Sequence, residues 1–238
     1  YWQGCRLTSL HIWQRQSREV TLKHHIVRAT NSSLLAQGRF FIDNYHSYIK
    51  YSDRPSRKMY WNLYENSKMV GVFALCSVFS KPKSVKDFML KHGLQSNEVA
   101  NNIVYCLNGQ QDKNAGTKFL RLLREDAITW WKERYDDDLK AFQTFILPPR
   151  NGAIYRADNW QVIGKTSGNA QRIRTIPKQD IHKYKNVREK IFSNGQVRYV
   201  IKWFEEVEKK IILMRLVSKK ELRKGLLQCK KYEQISIV

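Results

Sequence analysis

The sequence predicts an α+β fold in which a mixed β-sheet is flanked by helices. Three features predict it: two adjacent strand-like runs at residues 58–64 and 69–76, an apolar run at 102–107, and a helix-periodic segment at 117–135. Strands and helices in this order are typical of a mixed sheet with a helix packed after a central strand.

Before the first of the two strand-like runs, residues 25–27 predict a short strand and residues 34–45 predict a helix. Ser32 and Ser33 precede that helix, and serines are frequent at helix starts. Residues 46–56 are polar at many positions and predict a loop.

The two strand-like runs are joined by a polar turn at residues 65–68, so together they predict a β-hairpin. The second run, residues 69–76, is apolar enough to be buried on both faces of a sheet. A short amphipathic helix is expected at residues 85–92, ended by Gly93.

The segment after Gly93 predicts a strand at 102–107, a polar loop at 108–116, a helix at 117–135 and a strand at 139–147. Apolar residues of the long helix recur at spacings of three and four, which places them on one stripe. These residues are Phe119, Leu120, Leu123, Ala127, Trp130 and Trp131.

We expect two units, a main domain over residues 1–170 and a basic extension over residues 171–238 that folds partly on the main domain. From residue 161 onward, 19 Lys and Arg face only 7 Asp and Glu. Residues 197–207 fit helical and strand periodicity equally well, so the pattern does not choose between them.

The charge of the whole chain is strongly positive, with 43 Lys and Arg against 21 Asp and Glu and a net charge of +22. Such an excess indicates a polyanionic partner, because each neutralised phosphate releases condensed counterions. We therefore expect DNA, or else RNA, as the partner; a ribosomal, membrane-surface or merely soluble basic protein is the alternative. No apolar run is long enough to span a bilayer, so no membrane is expected.

Four cysteines are spread along the chain without the close pairs of a zinc knuckle or a disulfide framework. Cys76 and Cys106 lie in or beside apolar runs and are expected to be buried thiols. No signal-peptide pattern opens the chain. Together these features predict a reducing, cytoplasmic setting.

Residues 152–168 form the segment in which polar and aromatic residues are hardest to explain by packing. An Asn can hydrogen-bond an adenine edge, an aromatic ring can stack on a base, and an Arg can hold a phosphate. The alternative is a helix-to-strand junction with buried rings and an Asn that caps a turn. The candidate binding residues are Tyr155, Arg156, Asn159 and Trp160, with Asp158 among them as a candidate catalytic residue.

The loop that opens the long helix is a candidate cofactor site. Free backbone N–H groups at a helix N-terminus, together with the helix dipole, favour an anion. The residues concerned are Lys113, Asn114, Gly116 and Thr117. An ordinary helix-entry loop is the alternative.

A further candidate is His46, which lies between tyrosines in the sequence Tyr45-His46-Ser47-Tyr48. A histidine in such a loop can act as a general base or a metal ligand. The alternative is a structural or merely exposed histidine.

One pattern carries a family resemblance: Gly-x-x-Tyr-x-Ala-x-Asn-Trp from Gly152, followed by Gly-x-Thr-x-Gly from Gly164. It resembles a segment of the Mom-like branch of the GNAT acyltransferase superfamily, a branch that includes a domain of anti-phage defence systems. Residues 144–148, 114–118 and 45–48 are similar to its final strand and turn, its cofactor-loop helix and its His/Tyr motif. The resemblance covers about residues 40–170.

The resemblance implies a GNAT-like fold and an enzyme that adds a carbamoylmethyl group to the exocyclic amine of adenine in DNA. It implies that His46 and Tyr48 are active-site residues, and that Tyr155 and Asn159 line the same pocket. It further implies an acyl-CoA-like donor, a divalent metal at a site that the residues do not identify, and protein partners in a phage or defence complex.

Two departures from the family pattern leave a second hypothesis open. Leu147 stands where family members tend to have an Asp, and residues 105–107 lack the Arg that they tend to have on the central strand. Asp158 would be the substitute carboxylate in the enzyme. Without one, the chain would be a catalytically inactive relative that binds nucleic acid. A third hypothesis, an ordinary N-acetyltransferase of small amines or proteins, gives no reason for the charge of +22.

Overall fold

The computed structural model describes residues 23–47, 57–78, 81–191 and 195–223. Ten strands and four α-helices organise them. The strands are β1 His24–Arg28, β2 Lys58–Glu65, β3 Lys68–Ser77, β4 Val99–Leu107, β5 Ala141–Ile146, β6 Gln161–Lys165, β7 Asn169–Ile176, β8 Val187–Ile191, β9 Val197–Glu206 and β10 Ile211–Leu216. The helices are α1 Ser32–Tyr45, α2 Lys83–Lys91, α3 Ala115–Tyr135 and α4 Ala153–Ala157, and short 3-10 turns lie at Ser96–Glu98 and Lys178–Lys183.

Seven strands form the central sheet in the order β1-β2-β3-β4-β5-β10-β6. Only β4 and β5 run parallel; the other neighbouring pairs are antiparallel. The α+β class and the mixed sheet flanked by helices are therefore confirmed. The parallel pair requires a crossover, and α3 supplies it.

The hairpin of β2 and β3 forms where the sequence predicts it, and its turn explains the register. Asn66 and Ser67 both have positive φ, 48° and 66°. Two such residues form the kind of tight turn whose twist matches antiparallel strands, and Asn tolerates this conformation better than most residues.

Helix α1 begins at Ser32 as expected, but Asn31 rather than a serine caps it. The Asn31 side chain accepts a hydrogen bond from the Leu34 N–H at 2.9 Å. This satisfies one of the free donors at the helix start.

The two main helices cover opposite faces of the sheet. The buried stripe of α3 packs with Trp61 and Phe73 in the larger core cluster, whereas Phe41 and Ile42 of α1 pack on Tyr60 and its neighbours on the other face. Helix α3 is also tied to the sheet by Asp126, which accepts hydrogen bonds from Arg28 Nη2 at 2.9 Å and Trp61 Nε1 at 2.7 Å.

The part of the chain after residue 170, which the sequence predicts to fold partly on the main domain, contributes both a strand of the central sheet and most of a separate small sheet. Strand β10 lies between β5 and β6 and pairs with both, so the central sheet is completed by residues of the expected extension. Strands β7, β8 and β9 form a separate three-stranded sheet in the order β7-β9-β8. This small sheet is an insertion between two strands of the central sheet. Residues 197–206, left open between helix and strand, form β9.

Cys76 and Cys106 are buried free thiols, as expected. Within the described ranges, no helix is both long and apolar enough to cross a membrane.

Candidate active site

The central sheet opens between its two parallel strands. β4 and β5 pair only from Val99 opposite Ala141 to Asn102 opposite Thr144. Beyond that point β4 continues along β3 as far as Leu107, and β5 continues along β10 as far as Ile146. The edge of β4 that faces β5 therefore leaves the ladder over its last residues.

A cavity of about 1000 Å³ occupies this opening. Its walls come from both faces of the sheet, since Ile42 and Tyr60 belong to the core under α1 and Tyr155 to the core under α3. The volume is at the upper end of the range for small-molecule and cofactor sites. The residues discussed below that line it are His46, Asn101, Asn102, Tyr105, Cys106, Gln111, Arg150 and Tyr155.

Asn102 holds the point where the strands separate. The register between β3 and β4 shifts there, so that Ala74 faces Val104 but Leu75 faces Asn102. The Asn102 amide nitrogen donates to the carbonyls of Ala74 and Val104 at 2.9 and 2.7 Å. Because it satisfies carbonyls that the bulge would leave unpaired, Asn102 stabilises the irregularity.

The same side chain fixes Tyr155. The Tyr155 hydroxyl donates to Asn102 Oδ1 at 2.5 Å, and both residues are buried. The Thr144 hydroxyl donates to the Asn102 backbone carbonyl at 3.3 Å. Helix α4, which carries Tyr155, is thereby anchored to the branch point of the sheet.

His46 lies at the end of α1 and is half-buried at the cavity. Burial, and secondly the positive charge of Arg150, lower the pKa of His46 below its usual 6.5. Arg150 Nη2 in turn donates to Ser47 Oγ at 2.7 Å. His46 is therefore a neutral imidazole at pH 7, the form that can accept a proton.

The phenol of Tyr105 and the thiol of Cys106, near the end of β4, are protonated at neutral pH. Burial raises the pKa of Tyr105 well above 10, and the Tyr105 hydroxyl donates to the Gly116 carbonyl. Burial also raises the pKa of Cys106 to about 11. A thiol of this kind is a poor nucleophile at pH 7, because the thiolate is the reactive form.

The predicted cofactor loop lies beside the cavity, which its residues Gly109 and Gln111 line. Lys113 and Asn114 are exposed and Thr117 is partly buried. Gly116 is buried, and a side chain there would meet Ile154 Cδ1 at 3.2 Å. The helix start therefore packs closely on α4, and its exposed residues remain accessible to an anion.

Asp158 does not line the cavity. Its carboxylate is buried and accepts two hydrogen bonds of 2.7 Å from Arg124 of α3, and a third of 2.9 Å from Trp160 Nε1. Glu221 also contacts Arg124, and Arg215 bonds both the Asp158 carbonyl and Glu221. These four charged side chains, of which Arg215 is only partly buried, are called the buried quartet; they join α3, the end of α4, β10 and the segment after it.

The other predicted binding residues are divided by the structure. Tyr155 lines the cavity. Trp160 is buried and packs 5.0 Å from the Tyr155 ring. Arg156 and Asn159 are exposed, and Asn159 has a φ of 62° in the turn after α4. Tyr48 lies outside the described residues.

Sequence reasoning missed Asn102, Arg150 and Gln111. The available signal for Asn102 was a pair of adjacent Asn residues inside an otherwise apolar strand, because buried amides require partners. Arg150 follows two prolines and carried no comparable signal.

No family model matches the chain, and no curated protein matches it. Among solved structures, it is similar to an N-acyl amino acid synthase from uncultured soil microbes, with 8% identity, a TM-score of 0.45 and coverage of 84% of this chain and 94% of that one. It is also similar to a mosquito arylalkylamine N-acetyltransferase-like protein, with 11% identity, a TM-score of 0.46 and coverage of 81% and 100%. A Bacillus subtilis acetyltransferase in complex with CoA has 12% identity, a TM-score of 0.38 and coverage of 82% and 99%.

Proposed function

We propose that this protein transfers an acyl group from an acyl-CoA-like donor to the exocyclic amine of adenine in DNA, with the thiol of the donor as the leaving group. The observation that carries the proposal is the opening between β4 and β5, where a cavity reaches both faces of the sheet beside a neutral histidine. A donor bound from one face and an amine presented from the other would meet at the branch point.

The donor side of the cavity fits an acyl-CoA-like carrier. The freed edge of β4 offers backbone donors and acceptors to an extended chain, and the wall is largely apolar. Lys113, Asn114 and Thr117 at the start of α3 would hold the phosphates, because a helix N-terminus presents free N–H groups. When bound, such a carrier would supply an activated carbonyl carbon and would leave as its free thiol once the carbon–sulfur bond is broken. Gly116 itself packs against the protein rather than against the ligand.

The acceptor side fits a purine. Asn101 and Gln111 line the cavity, and each has a buried side-chain oxygen without a hydrogen-bond partner among the described residues. Asn and Gln amides pair with the adenine edge through two hydrogen bonds. His46 would accept the proton that the amine loses. An adenine inside a duplex reaches such a cavity only when it is flipped out of the stack.

A basic surface supports DNA as the carrier of that adenine. One face of the three-stranded sheet bears exposed basic side chains and an aromatic ring. These side chains share a face because residues opposite each other across antiparallel strands point to the same side. Lys190 is opposite Arg198, Arg188 is opposite Val200, and Lys202 follows on β9. Phe204 on this face exposes 72% of its surface. We call Arg188, Lys190, Arg198, Lys202 and Phe204 the basic face.

The experiment is nucleoside mass spectrometry of DNA from bacteria that express the full chain. The test variant is His46→Ala, and the matched control is His92→Ala, which alters an exposed histidine at the end of α2. We expect an adducted deoxyadenosine with the wild type and with His92→Ala, reduced at least about 100-fold in His46→Ala, since a general base contributes typically 10²–10⁴-fold.

An adduct that persists at full level in His46→Ala would refute the role of His46. Unmodified DNA from well-expressed wild-type protein, repeated with purified protein, DNA and acyl-CoA donors in vitro, would contradict the enzyme proposal. Binding of DNA in the same preparations would then separate loss of catalysis from loss of the nucleic-acid partner.

A second candidate function is a catalytically inactive nucleic-acid-binding protein. The favouring observation is that, among the described residues lining the cavity, none is Asp or Glu. Asp158, the carboxylate that was expected to substitute for the one missing at Leu147, is held in the buried quartet. This candidate is distinguished by DNA binding that His46→Ala leaves unchanged together with DNA that stays unmodified.

A further inference from the structure

We propose that His24, Glu65 and Asp112 form a binding site for a divalent first-row transition metal ion, with Zn²⁺ the best match. The site joins β1, the end of β2 and the loop before α3. It is separate from the cavity and does not depend on the proposed reaction.

The sheet itself brings two of the ligands together. His24 and Glu65 are directly opposite each other in the antiparallel register of β1 and β2, so their side chains share one face. His24 Nε2 lies 2.8 Å from Glu65 Oε1. The His24 ring is held edge-on against Phe119 of α3, with centroids 5.4 Å apart.

These two atoms are buried but make no hydrogen bond. The side chains of His24 and Glu65 are only 10% and 7% exposed, and neither Nε2 nor Oε1 has a hydrogen-bond partner among the described residues. Their separation would suit a hydrogen bond, but their orientation does not provide one. Buried polar atoms usually have partners, so this pair requires an explanation. A cation that both atoms coordinate supplies it.

The third ligand comes from the cofactor loop. A carboxylate oxygen of Asp112 lies within 4.8 Å of the other two ligand atoms. The backbone N–H of Asp112 donates to Glu65 Oε2 at 3.0 Å, which holds the loop in place and leaves Oε1 available to the ion. Lys23 also contacts the Asp112 carboxylate, which has two oxygens and is half-exposed.

The ligand set selects the class of ion. One imidazole nitrogen and two carboxylate oxygens suit Zn²⁺ and its first-row neighbours, whereas Ca²⁺ and Mg²⁺ prefer oxygen ligands in larger number. Zn²⁺ binds nitrogen and oxygen at about 2.0–2.2 Å, so His24 Nε2 and Glu65 Oε1 would have to separate by roughly half an ångström. Water would complete the coordination from the exposed side of Asp112.

Such an ion would fix the wall of the cavity. Gln111 immediately precedes Asp112, and both it and Gly109 line the cavity. Coordination of Asp112 would attach this loop to the sheet through a metal ligand in addition to one backbone hydrogen bond. We expect the ion to make this loop more rigid and to take no part in any chemical step.

The test is calorimetric titration of the metal-free full chain with Zn²⁺, with Co²⁺ absorption as a second readout. We expect one equivalent of tight binding in the wild type, and at least about 10-fold weaker binding in His24→Gln and in Asp112→Asn, because a ligand is lost. His25→Gln is the matched control, since the neighbouring ring stacks on Tyr64 instead of facing the site.

Zn²⁺ should also raise the melting temperature of the wild type and of His25→Gln more than that of Asp112→Asn at the same concentration, because an ion stabilises the folded state by an amount that falls with its affinity. Asp112 is exposed, so this variant is expected to fold even if His24→Gln does not. Absence of binding by the wild type, or equal affinity in wild type and Asp112→Asn, would overturn the proposal.

Discussion

At the scale of single residues, His46 shows how position sets chemistry. It follows the last residue of α1, where partial burial and the neighbouring Arg150 both disfavour the imidazolium form. The acidic limb of any reaction that uses neutral His46 should therefore lie below pH 6.5.

Arg150→Gln tests this electrostatic argument. Removal of the positive charge should raise the pKa of His46, so a larger share of the imidazole is protonated as the pH falls. The acidic limb of kcat/KM, and the NMR titration of the His46 ring, should both move to higher pH. An unchanged titration would mean that burial alone sets the pKa.

The sequence made Asp158 a candidate catalytic residue, but its contacts in the fold give it a structural role. It receives hydrogen bonds from Arg124 and Trp160 and is 6% exposed. Loss of one member of a buried ion pair leaves an uncompensated charge, which typically costs about 3–5 kcal/mol.

We therefore expect Asp158→Asn to lower the free energy of unfolding by about 3 kcal/mol or more in urea denaturation. Arg156→Gln is the control, because Arg156 is exposed two positions away and should change stability by less than about 0.5 kcal/mol. A stable Asp158→Asn protein without activity would instead favour a catalytic role.

At the scale of elements, the sequence predicted what local periodicity and turn residues determine. The hairpin, α1, α3 and β5 lie within a few residues of the predicted positions. Strand β4 begins three residues earlier than expected, at Val99, because Asn101 and Asn102 interrupt the apolar pattern while still pairing with β3. The bulge there depends on Ala74, a partner on another strand, which no local pattern reveals.

Strand β9 shows where local periodicity does not decide between helix and strand. Val197 and Ile201 fit both periods, and pairing with β7 and β8 decides for a strand. For the candidate site, the resemblance implied that His46 and Tyr155 are pocket residues, and both line the cavity. Asn102, which anchors Tyr155, is 53 residues away along the chain, a relation that only the fold creates.

The basic face yields a prediction at this scale. Its four basic residues should each contact a phosphate, so a variant with all four changed to Ser should bind DNA more weakly. The slope of log affinity against log salt should become less steep by about three to four units on duplex DNA. The residues are Arg188, Lys190, Arg198 and Lys202.

A control variant with the same net charge removes four exposed lysines elsewhere: Lys68, Lys83, Lys86 and Lys91. Equal loss of affinity in the two variants would show that total charge, and not the basic face, determines binding. Phe204→Ala should weaken single-strand binding by about 1–3 kcal/mol if a base stacks on that ring.

At the scale of the whole molecule, the small sheet is an insertion whose ends meet. The Val207 N–H donates to the Gly168 carbonyl at 2.6 Å. Closer to the central sheet, the Thr166 N–H donates to the Lys210 carbonyl at 2.9 Å, and the Lys210 N–H donates to Thr166 Oγ1 at 3.0 Å. A short turn could therefore replace residues 169–206 and leave the β6–β10 pair in place.

We expect that deletion variant to fold with the central sheet intact, to lose most of its DNA affinity, and to keep the cavity. A chain truncated after residue 170 lacks β10 and Glu221, and it should fail to fold cooperatively. Circular dichroism and urea denaturation of the two proteins would check this. A stable truncated protein would support an independent domain that ends at residue 170.

The position of β10 also has a consequence for synthesis. The ribosome completes β5 at Ile146 and β6 at Lys165 well before it reaches Ile211, the first residue of the strand that lies between them. Until then both strands present unpaired edges, which are templates for association with other chains. The nascent protein therefore passes through an interval in which its largest sheet is incomplete, and a chaperone or slow dilution should improve its yield more than it would for a sheet closed in chain order.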